Sequence, residues 1–254
     1  MASADAMEID EAPAADDEAE EAAAEAVEAL MEEEDLPDVT LDIFDVSKTA
    51  QAQHGLRHGD YGRYRQYCSR RLHRLRKATR MTHGKGRYLK RPLEPHMVRE
   101  GRHLMIVLFC SERAWAHAME IKRDNTNHEP RPRFHLLNRL AKAAKWASAL
   151  SALCAARADK RTALEAEAYA AFMGANVHLE REEWAPAREG FARCRTICVE
   201  LCRVSMAEQV HLYRTMVDGV EPSIRFCAYH LSRMDGADDS ALGDEVEGAR
   251  SPLS

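Results

Sequence analysis

Residues 57–91 read RHGDYGRYRQYCSRRLHRLRKATRMTHGKGRYLKR, and this stretch decides how the rest of the chain is read. Arg57, Arg63, Arg65, Arg70, Arg71, Arg74, Arg76, Lys77, Arg80, Lys85, Arg87, Lys90 and Arg91 give it 13 cations, with Asp60 as the single anion. Gly59-Asp60 offers a side-chain N-cap, no proline interrupts 60–82, and Gly84 stands where a helix would end. At about 100° per residue, Tyr61, Tyr64, Cys68, Leu72 and Leu75 fall on one narrow stripe, with Ala78 and Thr79 at its edges. Arg63, Arg65, Arg70, Arg74, Arg76, Lys77 and Arg80 fall on the remaining arc. Arg71 projects toward the apolar side, where an ion pair or a neighbouring helix is expected to hold it.

A face of this kind weakens an isolated helix, because like charges such as Arg70 and Arg74 at i,i+4 repel. Arginine also differs from lysine in gripping phosphate bidentately and stacking on bases. A mixed charge run is usually a solvated face. This run is single-signed, Arg-dominated and backed by an apolar stripe, and it points to a polyanion ligand, with a nuclear or nucleolar address as the other reading. Regular A-form RNA keeps its major groove too narrow for side chains, so a helix about 10–12 Å across needs a bulge, internal loop or junction. Structured, locally distorted RNA is therefore the expected ligand. Double-stranded DNA fits less well, since no helix-turn-helix or zinc-finger spacing accompanies the helix.

The net charge of −6 over 254 residues conceals a division. Residues 1–45 carry 18 Asp/Glu and no Lys/Arg, and residues 235–254 carry 6 acids and one Arg. Residues 46–234 are left with 35 cations and 18 anions, a net +17. Ala, Leu, Arg and Glu abound, aromatics are scarce and alternating β-branched runs are absent, so the fold class reads as all-α. The acidic N-terminus argues against a secretory signal or mitochondrial presequence. The apolar run Leu104–Cys110 is too short to span a bilayer, so no membrane insertion is expected. Seven cysteines without paired spacing fit a reducing compartment, cytosol or nucleus.

Taken in order, residues 1–38 form an Ala/Glu/Asp tail that lacks the apolar surface to offset ordering entropy. The expected role is solubilising, with screening of the basic face as the sharper alternative. Leu41–Gln53 reads as a short helix and His54–Gly59 as a tight connection into the arginine-rich helix. His54 and His58 have no third metal ligand nearby and read as loop histidines beside RNA-binding arginines. His83–Pro95 is a basic loop, expected to be mobile without ligand.

His96–Lys122 carries a helical pattern through Met97, Leu104, Leu108, Trp115 and Met119, buried nearly all round. Asn125–Pro132 breaks it. Phe134, Leu137, Leu140, Ala144, Trp146, Leu150 and Leu153 mark the next helix, with Arg139, Lys142 and Lys145 on its outer face, which either prolong the basic surface or stand as single solvated cations. Thr162-x-x-Glu165 reads as a capping box opening a helix through Leu179. Another helix starts near Trp184 with Pro186 in its first turn. Ser205-x-x-Glu208 opens one to about Val217, and Glu221-Pro222 a last one through Leu231. The domain plan is an acidic disordered tail at 1–38, a helical RNA-binding domain at 39–234 and an acidic flexible tail at 235–254.

Cys194, Cys198 and Cys202 share one helix face, but successive turns rarely converge on one zinc ion, so they read as small core residues. Ala175-x-x-His178-x5-Trp184-x-x-Ala187-x3-Phe191-x-x-Cys194 has the spacing of the second half of a tetratricopeptide repeat. This supports a stack of helix hairpins and says nothing of a ligand. No nucleophile–base pair, phosphate loop or paired-carboxylate motif stands out, so neither enzyme activity nor a cofactor or metal is expected.

Across residues 41–232 the chain resembles the RNA-binding domain of the sixty-eight-kilodalton-subunit family of the eukaryotic signal recognition particle. The resemblance rests on Gln53-His54-Gly55-Leu56-Arg57-His58-Gly59-Asp60, Arg63-Tyr64-Arg65, Tyr67-Cys68-Ser69-Arg70-Arg71 and Arg74-Leu75-Arg76-Lys77. It extends to Glu112-Arg113-Ala114-Trp115, Arg133-Phe134-His135-Leu136-Leu137, Trp184 with Phe191, and Cys227-Ala228-Tyr229. The resemblance implies tetratricopeptide-like hairpins with a long arginine-rich helix that enters and bends the particle's RNA (7SL type) at a junction in its S domain. It also implies a part in co-translational targeting to the endoplasmic reticulum, cytoplasmic work after nucleolar assembly, and pairing with a seventy-two-kilodalton subunit through a C-terminal region expected to be absent here. The loop His83–Pro95 does not follow the family pattern.

The expected RNA contacts are Arg57, His58, Arg63, Arg65, Arg70, Arg74, Arg76, Lys77, Arg80, Lys85, Arg87, Lys90 and Arg91. The rival reading is a helical protein-interaction scaffold whose arginine run is a nucleolar localisation signal.

Overall fold

The computed structural model describes residues 38–82, 92–127 and 129–248, with side chains as far as Met234. The expectations for the acidic N-terminal segment and for residues 83–91 fall outside these residues. The described elements are α1 (Ile43–Gln53), α2 (Tyr61–Ala78), α3 (Gly101–Asp124), α4 (Pro130–Arg157), α5 (Lys160–Glu180), α6 (Trp184–Val204) and α7 (Ala207–Gly248), with 3-10 turns at Leu56–His58 and Pro95–Met97. The only β pairing among the described residues is an isolated bridge between Val39 and Ala158.

From α2 onward each helix packs on the next, so the chain is a stack of antiparallel hairpins. The α5–α6 hairpin carries the tetratricopeptide-like spacing, and Ala175, Ala187, Phe191 and Cys194 are buried in it. Its crossing is tight because Gly190 faces α5, where an added Cβ would lie 3.0 Å from that of Ala175. Helix α3 is buried without a break from Ile106 to Glu112, as a central helix with neighbours on both sides must be.

Helix α1 leaves the sequential stack and lies against α5 and α7. Its first turn has no side-chain cap of its own. Instead the backbone N–H groups of Ile43 and Phe44 donate to Oε2 of buried Glu165, at 2.7 and 3.3 Å. The Tyr213 hydroxyl donates to the other carboxylate oxygen at 2.6 Å. Thr162 closes the same junction, accepting from the Leu41 amide and donating to the Leu41 carbonyl. The expected capping box is thus corrected: the N-cap of α5 is Asp159, and Thr162 and Glu165 cap a different helix about 120 residues away in sequence.

Several boundaries differ from the sequence reading. Helix α3 begins at Gly101, after the separate turn Pro95–Met97, and an added Cβ on Gly101 would lie 3.1 Å from the Thr40 carbonyl oxygen. Helix α4 begins at Pro130, with both prolines in the first turn, where a missing N–H has no helical partner to lose. Ser205 ends α6 and does not open a box. Pro222 lies inside α7, which runs unbroken past the expected start at Glu221. Its exposed position spares the core, and its ring removes one helical hydrogen bond. The helical backbone continues to Gly248, beyond Asp235, where composition suggests a flexible tail.

Candidate nucleic-acid interface

Helix α2 is fixed at its start by a turn that only glycine can make. Gly55 has φ +126°, and a Cβ there would lie 2.7 Å from the Asp60 carbonyl oxygen. Asp60 then caps the helix, accepting from the Arg63 amide at 2.9 Å. The ring of His54 stacks on Tyr67 with centroids 3.6 Å apart. Tyr64, Cys68, Leu72 and Leu75 are buried against Ile106, Phe109, Cys110 and Ala116 of α3. The stripe expected from the sequence is the stripe that packs, with Ala78 left exposed.

A buried carboxyl group sets the rotation of α2 about its axis. Glu112 of α3 accepts from the Tyr64 hydroxyl at 2.7 Å, the Tyr169 hydroxyl at 2.7 Å and Gln51 Nε2 at 2.9 Å. Four helices therefore meet at one side chain. Burial, and then the Glu112 charge, push the Tyr64 hydroxyl far above the ordinary tyrosine range, so it stays a donor.

With the stripe turned inward, Arg57, His58, Arg63, Arg70, Arg74, Lys77 and Arg80 stand exposed. None of their side chains is ion-paired among the described residues. Arg65 and Arg76, expected on the outer arc, are engaged by α3 and half-buried. Arg65 Nε lies 2.7 Å from Glu120 Oε2, and Arg76 Nη2 donates to the Cys110 sulfur at 3.6 Å. Arg71 is half-buried on the inner side, but its Nε has no hydrogen-bond partner and no ion pair forms there among the described residues, so of the two expected holds the ion pair is not the one used. Lys85, Arg87, Lys90 and Arg91 lie outside the described residues.

The helix ends without the expected glycine. The Met81 amide donates to the Arg76 carbonyl at 2.9 Å and the Arg80 amide to that of Lys77 at 3.4 Å. This is a Schellman closure in which Arg80, at φ +56°, occupies the left-handed position. Its side chain remains in solvent as part of the basic face.

The positive field reaches past α2. The pKa of His117 on α3 is lowered by burial and then by Arg139 of α4 and Arg65 of α2. Burial raises the Cys110 thiol, and Arg76, Arg113 and Lys142 act against that rise. His54 is held below the ordinary histidine range by burial, then by Arg63 and Arg74. Exposed guanidinium groups on a rigid helix can form several phosphate contacts at once, and their mutual repulsion is relieved when they do. Among the described residues no cluster of three His, Cys, Asp or Glu side chains could hold a metal ion. Nor is any described helix long and apolar enough to cross a membrane.

The sequence reading missed Glu120, and it quoted Glu112 only within the family pattern without giving it a role. Glu112 could have been found as a carboxylate two residues beyond the apolar run Leu104–Cys110. Nothing local marks Glu120.

Residues 56–251 match the family model described as RNA-binding signal recognition particle 68. The chain is 44% identical over 215 residues to signal recognition particle subunit SRP68 of Drosophila melanogaster, a match covering 82% of this chain and 35% of that protein. It is 36% identical over 197 residues to the subunit of that name from Dictyostelium discoideum, covering 75% and 32%. The match spans only about a third of the length of these relatives. The fold is similar to the solved SRP68 RNA-binding domain of Chaetomium thermophilum, with a TM-score of 0.64 at 28% identity, covering 75% of this chain and 98% of that one. By the extent of the family match, the chain belongs to the RNA-binding signal recognition particle 68 family.

Proposed function

We propose that residues 39–234 form a non-catalytic RNA-binding domain that holds the RNA of the signal recognition particle, in co-translational targeting to the endoplasmic reticulum. Helix α2 enters the RNA where a junction in its S domain opens the groove, and bends it there. The observation that carries this reading is the exposed set Arg63, Arg70, Arg74 and Lys77, unpaired among the described residues, on a helix whose opposite side is buried. Arg57, His58 and Arg80 extend the contact at either end. Arg65 and Arg76 reach phosphate only by leaving Glu120 and Cys110, and Lys85, Arg87, Lys90 and Arg91 add charge from the sequence that follows. Cytosolic work and nucleolar assembly belong to the same proposal and are independent of the RNA measurement, whereas pairing with a seventy-two-kilodalton subunit is assigned to a C-terminal region of the full-length family protein and not to residues 39–234.

The test is a gel shift with a transcript of the particle RNA and excess tRNA competitor. With about six phosphate contacts, affinity is expected to fall on the order of 10³-fold between about 50 and about 200 mM salt. Arg70→Ala/Arg74→Ala/Lys77→Ala together should abolish competitor-resistant binding without loss of helicity. A flat salt response, or a triple variant that binds normally, rejects the proposal.

A further inference from the structure

Helix α4 exposes a second basic face that the arginine-rich stretch does not account for. Arg131, Phe134, His135, Asn138, Arg139, Lys142 and Lys145 are all exposed. At about 100° per residue they fall within one arc of roughly 140°. None of the four cations in this arc is ion-paired among the described residues, whereas Arg133, on another side of the helix, is held 2.7 Å from Glu182. Phe134 is 63% exposed, with its ring beside that of His135. One exposed phenylalanine needs no explanation by itself. An exposed aromatic ring inside a cation-only arc has the composition of a surface that stacks bases and tracks phosphates.

The helix that carries this arc and α2 flank the same neighbour. Both helices pack on α3. His117 of α3 lies within the fields of Arg139 and Arg65, and Cys110 within those of Lys142 and Arg76. Two levels of α3 are thus flanked by cations from both sides. A single RNA that enters along α2 has phosphates to spare toward α4.

We propose that the α4 arc is a second RNA-contact surface, in which Arg131, Arg139, Lys142 and Lys145 meet phosphates and Phe134 stacks an unpaired base. This inference rests on the RNA-binding reading of α2 and deepens it. A protein partner would use the same exposure differently, and the experiment separates the two.

The 254-residue chain is titrated with the particle-RNA transcript across a salt series, alongside the α2 triple variant, Arg131→Ala/Arg139→Ala/Lys142→Ala, Phe134→Ala and Phe134→Trp. The α4 charge variant is expected to bind at least tenfold more weakly, with a log–log salt slope shallower by about 2–3. Phe134→Ala should weaken binding about tenfold at an unchanged slope, and Phe134→Trp should restore it with indole fluorescence quenched by RNA. Circular dichroism checks that helicity is retained. If both α4 variants match the wild type in affinity and slope while the α2 variant fails to bind, the α4 surface is overturned and left to a protein partner. If the α2 variant also binds normally, the RNA reading itself falls.

Discussion

The Tyr64 hydroxyl donates to the Glu112 carboxyl at 2.7 Å, and this bond ties the arginine-bearing helix to a side chain that is 0% exposed. Because Glu112 also accepts from Tyr169 and Gln51, removing it strands three donors inside the protein. Glu112→Ala is therefore expected to cost at least about 3 kcal/mol in urea unfolding. Tyr64→Phe removes one donor and fills the same space, and should cost about 1–2 kcal/mol. The double variant Tyr64→Phe/Glu112→Ala should show a coupling of about 1 kcal/mol or more. Strict additivity would mean that the two residues act independently.

Arg80 is both a member of the basic face and the left-handed closure of α2, at φ +56°. These roles conflict, since glycine serves the backbone and arginine the ligand. Arg80→Gly is expected to raise stability by about 1 kcal/mol while weakening RNA binding. Arg80→Ala should weaken binding equally without the gain in stability. Thermal unfolding beside a binding titration distinguishes the cases, and a fall in stability for Arg80→Gly would show that the residue makes contacts beyond the cap.

The register of α2 was legible because Tyr64, Cys68, Leu72 and Leu75 repeat with a helical period and have one apolar helix to pack on. The hairpin crossing was legible for a related reason: Ala175, Ala187 and Phe191 keep the spacing of a helix hairpin, and all three are buried in it. Arg65 and Arg76 were misplaced because a helical wheel knows nothing of the neighbouring helix, and Glu120 and Cys110 belong to α3. Thr162 and Glu165 misled for the same cause. Their spacing satisfies a local motif, yet their hydrogen bonds run to Leu41, Ile43 and Phe44. Pro222 shows the reverse error, a local veto overridden by a helix that continues on both sides.

Two glycines of the α5–α6 hairpin should respond oppositely to an added side chain. At Gly190 a Cβ would sit 3.0 Å from Ala175 Cβ and 3.3 Å from the Ala171 carbonyl oxygen. At Gly174 it would meet nothing within 4 Å. Gly174→Ala is expected to stabilise by about 0.5–1 kcal/mol through helix propensity alone. Gly190→Leu must open the crossing and should cost about 2 kcal/mol or more. Equal responses at the two sites in denaturant titrations would show that the crossing is not the constraint.

His54 lies on Tyr67 beside Arg63 and Arg74, and burial followed by those two charges holds its pKa below the ordinary value. A group whose folded pKa is depressed contributes stability that is complete above its unfolded pKa, near 6.5, and lost as pH falls through the folded pKa. Phosphates brought to Arg63 and Arg74 would neutralise the field that helps keep His54 uncharged. Its pKa then rises in the complex, so RNA binding takes up a proton. Affinity is accordingly expected to increase about threefold as pH falls from about 7 to about 6, and His54→Gln should remove that part of the dependence. Titrating the His54 ring by NMR with and without RNA measures the shift directly. A midpoint that stays put on RNA binding would place the phosphates away from Arg63 and Arg74, at the far end of α2 or elsewhere.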